Sequence, residues 1–285
     1  MSKDNKRELV SFDWALKHIL REKANFVVLE GFLSELLGFD VLINNILESE
    51  GNVDGEKDKF NRVDLLCKNS NDELILIEVQ YSYEIDYFQR MLYGASKLTI
   101  EYIKKGEAYR KLKKVYSVNI VYFDIGQGSD YIYYGKTEFI GKKKSDLLSL
   151  SSTQQNKFNL TSVHEIYPEY YIVKINNFND VAESSIDEWI YFLKNSDIKS
   201  EFKAKGLKEA NEKMDYLKLS EQEQITYRRS QENKMLERSI EESQQIIGEQ
   251  RKQLEMAKKL LEIGDPVEKI SLVTDLSVKE IEALK

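Results

Sequence analysis

The chain has 285 residues, of which 32% are charged and 41% are hydrophobic, so it can form one large domain or two smaller ones around a buried core. The single cysteine, Cys67, excludes an internal disulfide, and two histidines far apart in the sequence are too few for a zinc site or a histidine-based catalytic triad. The formal net charge of −7 argues against a broadly basic surface for nucleic acid. Any catalysis must therefore rest on carboxylates.

The sequence has no feature of a membrane or secreted protein. No apolar run approaches the roughly 20 residues that a membrane-spanning helix requires, and the charged first residues lead into no apolar region of the signal-peptide type. We therefore expect a cytoplasmic protein without a membrane partner.

The N-terminal part of the chain begins with a predicted helix. Apolar residues recur at helical spacing over residues 8–22. In this stretch Asp13 and Lys17 lie four positions apart, a spacing that brings them together on one helix face as an ion pair.

A second helix is predicted from about residue 25 to residue 37, and Gly38 is suited to end it because glycine readily adopts a left-handed conformation. Glu30 in this helix is either an ordinary surface acid or an additional carboxylate that leans over a site. A short strand and an acidic, glycine-containing loop are predicted for residues 41–57.

Residues 58–80 are the most informative stretch, because two acids lie inside apolar, strand-like runs. Asp64 belongs to the first run and Glu78 to the second. Asp and Glu are depleted in strands and burying a charge is costly, so this conflict is typical of a functional or strained position. The alternative is that both acids are exposed on an edge hairpin.

The two runs predict an antiparallel hairpin whose register decides where the acids lie. If residues 69–73 form a five-residue loop, Asp64 lies directly opposite Glu78, with Cβ atoms about 4.5–5.5 Å apart, and Gln80 shares their face. Like charges this close repel, and a divalent cation would turn the repulsion into attraction. A four-residue loop would place Asp64 opposite Ile77, on the other face.

A long helix is predicted from Tyr83 to Lys104. Arg90 lies near its start and has two alternative roles. It faces the site or a phosphate, or it forms an ordinary ion pair on the helix surface. Two groups of basic residues, within 104–114 and at 142–144, flank the candidate site in sequence and are either solvated surface or functional. The residues predicted to be buried in the long helix are Phe88, Met91, Leu92, Ala95, Leu98 and Ile103.

The run 114–124 is nearly continuous in β-branched and aromatic residues, which is typical of a central strand buried on both faces. Shorter strands are predicted at 131–134, 138–140 and 163–175, the last broken by a proline, and a helix at 186–193. Helices and strands mixed in this order predict an α/β sandwich that ends near residue 195.

Beyond residue 200 the composition shifts to Glu, Lys, Gln and Arg, and a heptad-like apolar stripe predicts a long helix or weak coiled coil over 198–263. Two alternatives are open for this helix. It pairs with another copy of the chain, which gives a homo-oligomer through residues 200–263, or it folds back on its own chain. The last segment, 264–285, has the size of a helix-turn-helix. Because its final helix carries only two basic residues, we favour a packing or assembly cap. Residues 1–197, which precede the long helix, are predicted to form the first domain.

Asp64, followed after a short hairpin by Glu78-Val79-Gln80, resembles the PD-(D/E)XK nuclease superfamily, and within it the recombination-promoting nuclease and transposase group. The likeness covers most of residues 8–195 and the tail. It implies a restriction-endonuclease-like α/β fold, with a mixed central sheet flanked by helices, then a long helix and a small helical tail. Supporting segments are Phe12–Lys17, Asp58–Lys59, Arg62–Leu65, Ile77–Gln80, Arg90–Leu98, Lys105–Tyr109, Leu260–Gly264 and Ser277–Ile281.

The resemblance implies that Asp64 and Glu78 hold Mg²⁺, for which Mn²⁺ can substitute, with the Val79 carbonyl as a further ligand. A water on the metal would attack a DNA phosphodiester, while the metal stabilises charge on the phosphate. Gln80 stands where the superfamily usually has lysine. It can orient the water but supplies no positive charge, a departure that matches the E-x-Q pattern of this group. Glu30 would be a further catalytic carboxylate.

The same resemblance makes Lys59, Arg62 and Arg90 candidate DNA contacts and predicts a Mg²⁺-dependent DNA endonuclease. The rival hypothesis is a nuclease-derived protein that binds nucleic acid without cutting it and assembles through the long helix. The acidic net charge and Gln80 favour the rival, whereas the retained acidic pair favours the enzyme. RNA as substrate is a third hypothesis. No residue pattern in the chain indicates the catalytic triad of a DDE transposase.

Overall fold

The computed structural model describes residues 8–47 and 64–284. In this part of the chain the strands form one mixed, six-stranded sheet in the order β1-β2-β3-β4-β6-β5. The neighbouring strands β3, β4 and β6 run parallel, and the remaining neighbours are antiparallel. The strands are β1 (Ile43–Leu47), β2 (Leu65–Asn69), β3 (Leu74–Gln80), β4 (Val115–Val121), β5 (Ile132–Gly135) and β6 (Glu169–Lys174).

Helices flank this sheet and continue beyond it, which confirms the α/β restriction-endonuclease-like fold with a long C-terminal helix and a helical tail. The α-helices of the described residues are α1 (Phe12–His18), α2 (Phe26–Leu37), α3 (Tyr87–Glu101), α4 (Ser152–Phe158), α5 (Ser185–Asn195), α6 (Leu207–Lys213), α7 (Glu221–Glu262), α8 (Val267–Thr274) and α9 (Val278–Glu282). None of them is both long enough and apolar enough to cross a membrane.

Strand β4 is the centre of the sheet, as its apolar sequence predicts. All of its residues are buried, and it lies between β3 and β6. The side chain of its buried Asn119 has hydrogen-bond partners for both amide atoms. The amide nitrogen donates to the carbonyl oxygens of Ser117 and Tyr171, and the amide oxygen accepts from the Tyr87 hydroxyl. This satisfies the requirement that a buried polar group be hydrogen-bonded.

The β2–β3 hairpin has the register that a five-residue loop requires. Lys68 pairs with Leu74, and the pairing continues to Leu65 and Ile77. The loop is shaped by Asn69, whose side-chain oxygen accepts two backbone N–H groups of the loop at 2.9 and 3.0 Å. An asparagine that bonds its own loop in this way favours a tight turn. The four-residue alternative is thereby excluded.

Helix α3 packs on the sheet face that carries the even-numbered residues of β3. Ala95 and Leu98 contact Leu74 and Leu76 in one apolar cluster, and Tyr87 and Met91 belong to a second one. The buried stripe therefore follows the spacing 87, 91, 95 and 98. For that reason the prediction was wrong for two residues next to the stripe, Phe88 and Leu92, which are 51% and 59% exposed.

Several predicted boundaries are corrected by the structure. The first helix is shorter than 8–22, because residues 8–10 are extended and pair with residues 214–216. The third begins at Tyr87 rather than Tyr83. The strand predicted at 138–140 is only an isolated bridge, and that at 163–175 begins after Pro168, following a short 3₁₀ turn. The second helix ends at Leu37, with Gly38 left-handed, as predicted.

The chain divides into two compact units, the first ending at Leu219 and the second beginning at Ser220. The predicted end of the first domain, at residue 197, lies inside the first unit, because residues 198–219 also belong to that unit. There the segment around Gly206 lies against Gly31 of α2, where an added Cβ would come within 2.2 Å of the Lys205 carbonyl oxygen. Only glycine permits this close backbone approach.

The second unit is a long helix with a small helical tail. Helix α7 has 42 residues, and α8 and α9 share a core with its C-terminal turns through Ala257, Ile270 and Ile281. The middle of α7 is exposed along the predicted apolar stripe: Leu236, Ile240 and Ile247 are 61%, 48% and 57% exposed. This stripe is not covered by folding back of the described tail.

Candidate active site

The two acids singled out by the sequence lie at the same end of adjacent strands. Asp64 directly precedes β2, one position beyond the Leu65–Ile77 pair, so the register places it opposite Glu78. Its Oδ2 accepts the backbone N–H of Val79 at 2.7 Å, which fixes the Asp64 carboxylate against the end of β3. Glu78 itself is 7% exposed.

The backbone at Val79 is oriented toward Asp64 by the sheet. The carbonyl of the next residue, Gln80, accepts from Tyr122 on the β4 side. Because successive peptide groups of a strand point to opposite sides, Val79 turns its own N–H and carbonyl to the β2 side. The Val79 peptide therefore faces the side on which Asp64 lies.

Two basic residues from the N-terminal part of the chain hold Asp64. The Nζ of Lys17 lies 3.0 Å from Asp64 Oδ1, and the guanidinium of Arg21 donates to the Asp64 backbone carbonyl at 2.7 Å. Lys17 therefore contacts Asp64 instead of the predicted i,i+4 partner Asp13. No sequence signal singled out this contact, because it joins residues far apart in the chain.

Asp13 lies at the junction of α1 with the end of β3. Its Oδ1 accepts the hydroxyl of Tyr81, the residue after Gln80, at 2.9 Å. The Tyr81 ring stacks on Tyr122 with centroids 4.2 Å apart, and the Tyr122 hydroxyl donates to the Leu193 carbonyl in α5. Burial raises the pKa of Tyr81, so its hydroxyl stays protonated as a donor.

A second polar chain surrounds Glu78. Arg90 of α3 donates to Glu84 at 2.6 Å and lies 3.9 Å from Glu78 Oε1. The side-chain amide nitrogen of Gln80 donates to Glu84 at 2.9 Å and to the Ser82 carbonyl at 3.2 Å. Glu84 thus joins Gln80 to Arg90. Glu84 lies in the irregular segment between β3 and α3, and no sequence pattern singled it out.

The charge state of Glu78 follows from this environment. Burial raises the pKa of Glu78 from 4.5 to about 7, the Arg90 guanidinium lowers it, and the charges of Asp64 and Glu84 raise it again. The Glu78 carboxyl therefore changes from its protonated to its ionised form near neutral pH, at its pKa of about 7. A divalent cation beside it would favour the ionised form.

Glu30, expected as a further catalytic carboxylate, lies elsewhere. Its Oε1 accepts the backbone N–H of Ile43 at 2.8 Å, and Ile43 pairs with Asn69, at the end of β2 remote from Asp64. Burial, and to a lesser degree Glu30, raises the pKa of the Cys67 thiol to about 12. The structure therefore does not bring Glu30 to the acidic pair, because it is used to hold β1.

The remaining candidate residues are the predicted DNA contacts and the basic residues of 104–114. Arg90 lies in the site, but its guanidinium faces acids. Lys59 and Arg62 lie outside the described residues. The basic residues of 104–114 do not flank the site in space, because they precede β4 at the opposite end of the sheet, where Lys114 binds Glu169. Glu78 pairs with Asn119, five positions after Lys114, a separation of roughly 17 Å along the strand.

The donors at Asp64 and Glu78 suit a hard cation such as Mg²⁺. Both carboxylates and the Val79 carbonyl are oxygen donors on neighbouring strands. Within residues 8–47 and 64–284, no group of three His, Cys, Asp or Glu side chains is close enough to hold a metal ion. A cation here would thus use two carboxylates, backbone and water, and Mg²⁺ is the ion that retains several waters.

Neither the curated proteins nor the solved structures with which the chain was compared contain a match. The family described as PD-(D/E)XK nuclease family transposase matches residues 10–244, most of the 285-residue chain. That range contains the acidic pair, the Gln80–Glu84–Arg90 chain and Lys17. The protein therefore belongs to the PD-(D/E)XK nuclease family of transposases.

Proposed function

We propose that the protein is a Mg²⁺-dependent DNA endonuclease of the recombination-promoting, transposase-like type. Membership of the family supports a nuclease- or transposase-like function on nucleic acid, and such nucleases typically use divalent metal ions. The observation that carries the finer proposal is the pairing of Asp64 with Glu78 at the ends of adjacent strands.

In this proposal Asp64, Glu78 and the Val79 carbonyl hold the metal, for which Mn²⁺ can substitute. When bound, the metal would supply an activated water and stabilise the charge that develops on the phosphate. The Val79 N–H fixes Oδ2 of Asp64 and thereby the direction of the other oxygen. Preorganisation of this kind removes the cost of orienting the carboxylate during the reaction.

Gln80 has the role of orienting the attacking water. Its amide nitrogen donates to Glu84 and to the Ser82 carbonyl, both of which are acceptors, so the amide group has a defined orientation. That orientation leaves the amide oxygen as the acceptor for a water hydrogen. Arg90 holds Glu84 and partly offsets the charge of Glu78. As DNA contacts we retain Lys59 and Arg62, because the Arg90 guanidinium is already bound to Glu84.

The direct test is cleavage of supercoiled plasmid DNA with Mg²⁺, with Mn²⁺ and with EDTA. Asp64→Asn and Glu78→Gln, which keep the side-chain shape, should each reduce the rate by at least about 100-fold, because each removes a charged metal ligand. Glu30→Gln is the matched control and should cut at the wild-type rate, because Glu30 contacts β1 instead. Undiminished cutting by both site variants would contradict the proposal, and an RNA substrate in the same assay tests the third hypothesis.

A second candidate function is a nuclease-derived protein that binds nucleic acid and assembles without cutting. The exposed apolar stripe of α7, at Leu236, Ile240 and Ile247, favours self-association through this helix. We propose that α7 pairs with a second copy of the chain under either function. Retarded migration of DNA in EDTA, with no cutting in any metal, would favour this candidate over the enzyme.

A further inference from the structure

The proposed site lacks a positive charge at the position from which the superfamily usually supplies one, because residue 80 is glutamine. Gln80 is neutral and its amide nitrogen is bound to Glu84. The guanidinium of Arg90 is likewise directed to acids, at 2.6 Å from Glu84. A phosphate bound at Asp64 and Glu78 would thus need its cation from another element.

Among the described residues, Lys17 of α1 supplies the ammonium group that contacts the Asp64 carboxylate. Its Nζ lies 3.0 Å from Oδ1 of Asp64, while Oδ2 accepts the Val79 N–H. Oδ1 is therefore the Asp64 oxygen that is not bound by the sheet. A metal ion on the Asp64 carboxylate and the Lys17 ammonium would compete for the same oxygen, because like charges cannot share it at contact distance.

The α1 backbone is fixed while the Lys17 side chain can move. Phe12, Trp14 and Leu16, which precede Lys17 in α1, are buried, and Tyr81 binds Asp13 in the same helix. The Lys17 side chain, by contrast, is 50% exposed. Its flexible four-carbon stem can therefore shift by a few ångströms without any change in α1.

We infer that Lys17 supplies from α1 the positive charge that Gln80 lacks, first on Asp64 and then, after a metal displaces it, on a phosphate of the nucleic acid. This rests on the proposed function of the same site. In the cleavage step the water oxygen bonds to phosphorus and releases one proton to solvent, while the P–O bond to the leaving oxygen breaks and that oxygen takes up one proton from solvent. Lys17 stays protonated and stabilises the negative charge on a non-bridging oxygen, so it transfers no proton.

The inference predicts opposite effects of one substitution on metal binding and on cleavage. Lys17→Met removes the competitor for Asp64, so Mn²⁺ measured by titration calorimetry without nucleic acid should bind about 3- to 10-fold more tightly. The same variant should cleave DNA about 10- to 100-fold more slowly at saturating Mn²⁺, because the phosphate loses its cation. A residue that only supported the fold would lower both.

Three further variants make the result specific. Lys17→Arg keeps the charge and should restore most of the cleavage. Lys17→Gln should repeat both effects of Lys17→Met with a polar side chain. Lys111→Met removes an exposed lysine at the opposite end of the sheet and should change neither quantity. Circular dichroism should show all four folded, because both lysines are exposed and Asp64 keeps its hydrogen bond from the Val79 N–H.

Each outcome bears on one of the two claims. Tighter Mn²⁺ binding with slower cleavage, rescued by Lys17→Arg, supports the inference. Unchanged or weaker Mn²⁺ binding by Lys17→Met, or cleavage at the wild-type rate, overturns it while the endonuclease proposal stands. Wild-type protein that neither binds Mn²⁺ nor cuts DNA overturns the proposed function itself, and the role of Lys17 with it.

Discussion

At the scale of single residues, Glu78 is the side chain whose chemistry is most altered by its surroundings. It is buried, and its nearest cation, Arg90, remains 3.9 Å away and is bound more closely by Glu84. The desolvation of the carboxylate is therefore only partly offset, which is the physical reason for its pKa near 7. This residue should impose a pH dependence on the metal-free protein.

The sign of that dependence follows from proton linkage. Between pH 4.5 and about 7 the folded protein keeps the proton on Glu78, whereas the unfolded chain has released it. The contribution of Glu78 to the free energy of unfolding should therefore be largest below pH 4.5 and be lost as the pH rises to 7, by roughly 3 kcal/mol in total.

Urea unfolding in EDTA, repeated across this pH range, measures the effect. Relative to Glu78→Gln, which does not titrate, the wild-type protein should lose stability as the pH increases. Glu30→Gln serves as a control for removal of a different carboxyl. Parallel pH curves for the wild-type protein and Glu78→Gln would show that burial does not hold the proton on Glu78.

At the scale of elements, the contact between α1 and the end of β3 determines where Lys17 lies. Tyr81 donates to the buried Asp13 and stacks on Tyr122, so it joins the helix to the strand that carries Glu78. An interaction with a buried charged partner contributes more than a neutral one. The Tyr81 hydroxyl, next to Gln80, is therefore one of the contacts that hold α1 beside the acidic pair.

Tyr81→Phe removes that hydroxyl and keeps the ring. We expect it to lower the free energy of unfolding by about 1–3 kcal/mol, because a hydrogen bond to a buried carboxylate is lost. Tyr109→Phe, at an 87% exposed tyrosine, is the matched control and should change stability by less than about 0.5 kcal/mol. Equal stability of the two variants in urea titrations would contradict this role of the hydroxyl group.

Helix α7 carries a prediction of its own. If its exposed apolar stripe pairs two copies of the chain, Ile240→Asp combined with Ile247→Asp should convert an oligomer to a monomer, because each places a charge in the helix–helix seam. Light scattering coupled to size-exclusion chromatography measures the mass. Lys252→Asp, an equivalent charge change outside the stripe, should leave the mass unchanged, and a wild-type protein that is monomeric would refute the pairing.

At the scale of the whole molecule, the acidic pair links metal binding to the stability of the fold. A ligand that binds only the folded state stabilises it by about 2.7 kcal/mol at 100 times its Kd. Mg²⁺ should therefore raise the Tm of the wild-type protein, and EDTA should reverse the shift. Asp64→Asn and Glu78→Gln should lose it, whereas Glu30→Gln should keep it. An equal Mg²⁺ shift in all four proteins would place the metal elsewhere.

The hairpin and the central strand could be predicted because their determinants are local. Two apolar runs around an Asn-rich loop define both strands and limit the register to two choices, and the run after Lys114 has the composition of a strand buried on both faces. The exposure of Phe88 and Leu92 could not be predicted in the same way. Several faces of an amphipathic helix have similar spacing, and only packing on the sheet selects Tyr87 and Met91.

The sequence by itself determined that any chemistry must rest on carboxylates, that Gln80 brings no charge, and that a five-residue loop would set Asp64 opposite Glu78. These follow from residue counts, strand alternation and loop length, all of which act over short separations. Only the tertiary structure decided that Lys17 holds Asp64, that Glu84 joins Gln80 to Arg90, and that Glu30 serves β1. Each of those contacts joins side chains from different elements, and their partners are chosen by how helices pack on the sheet.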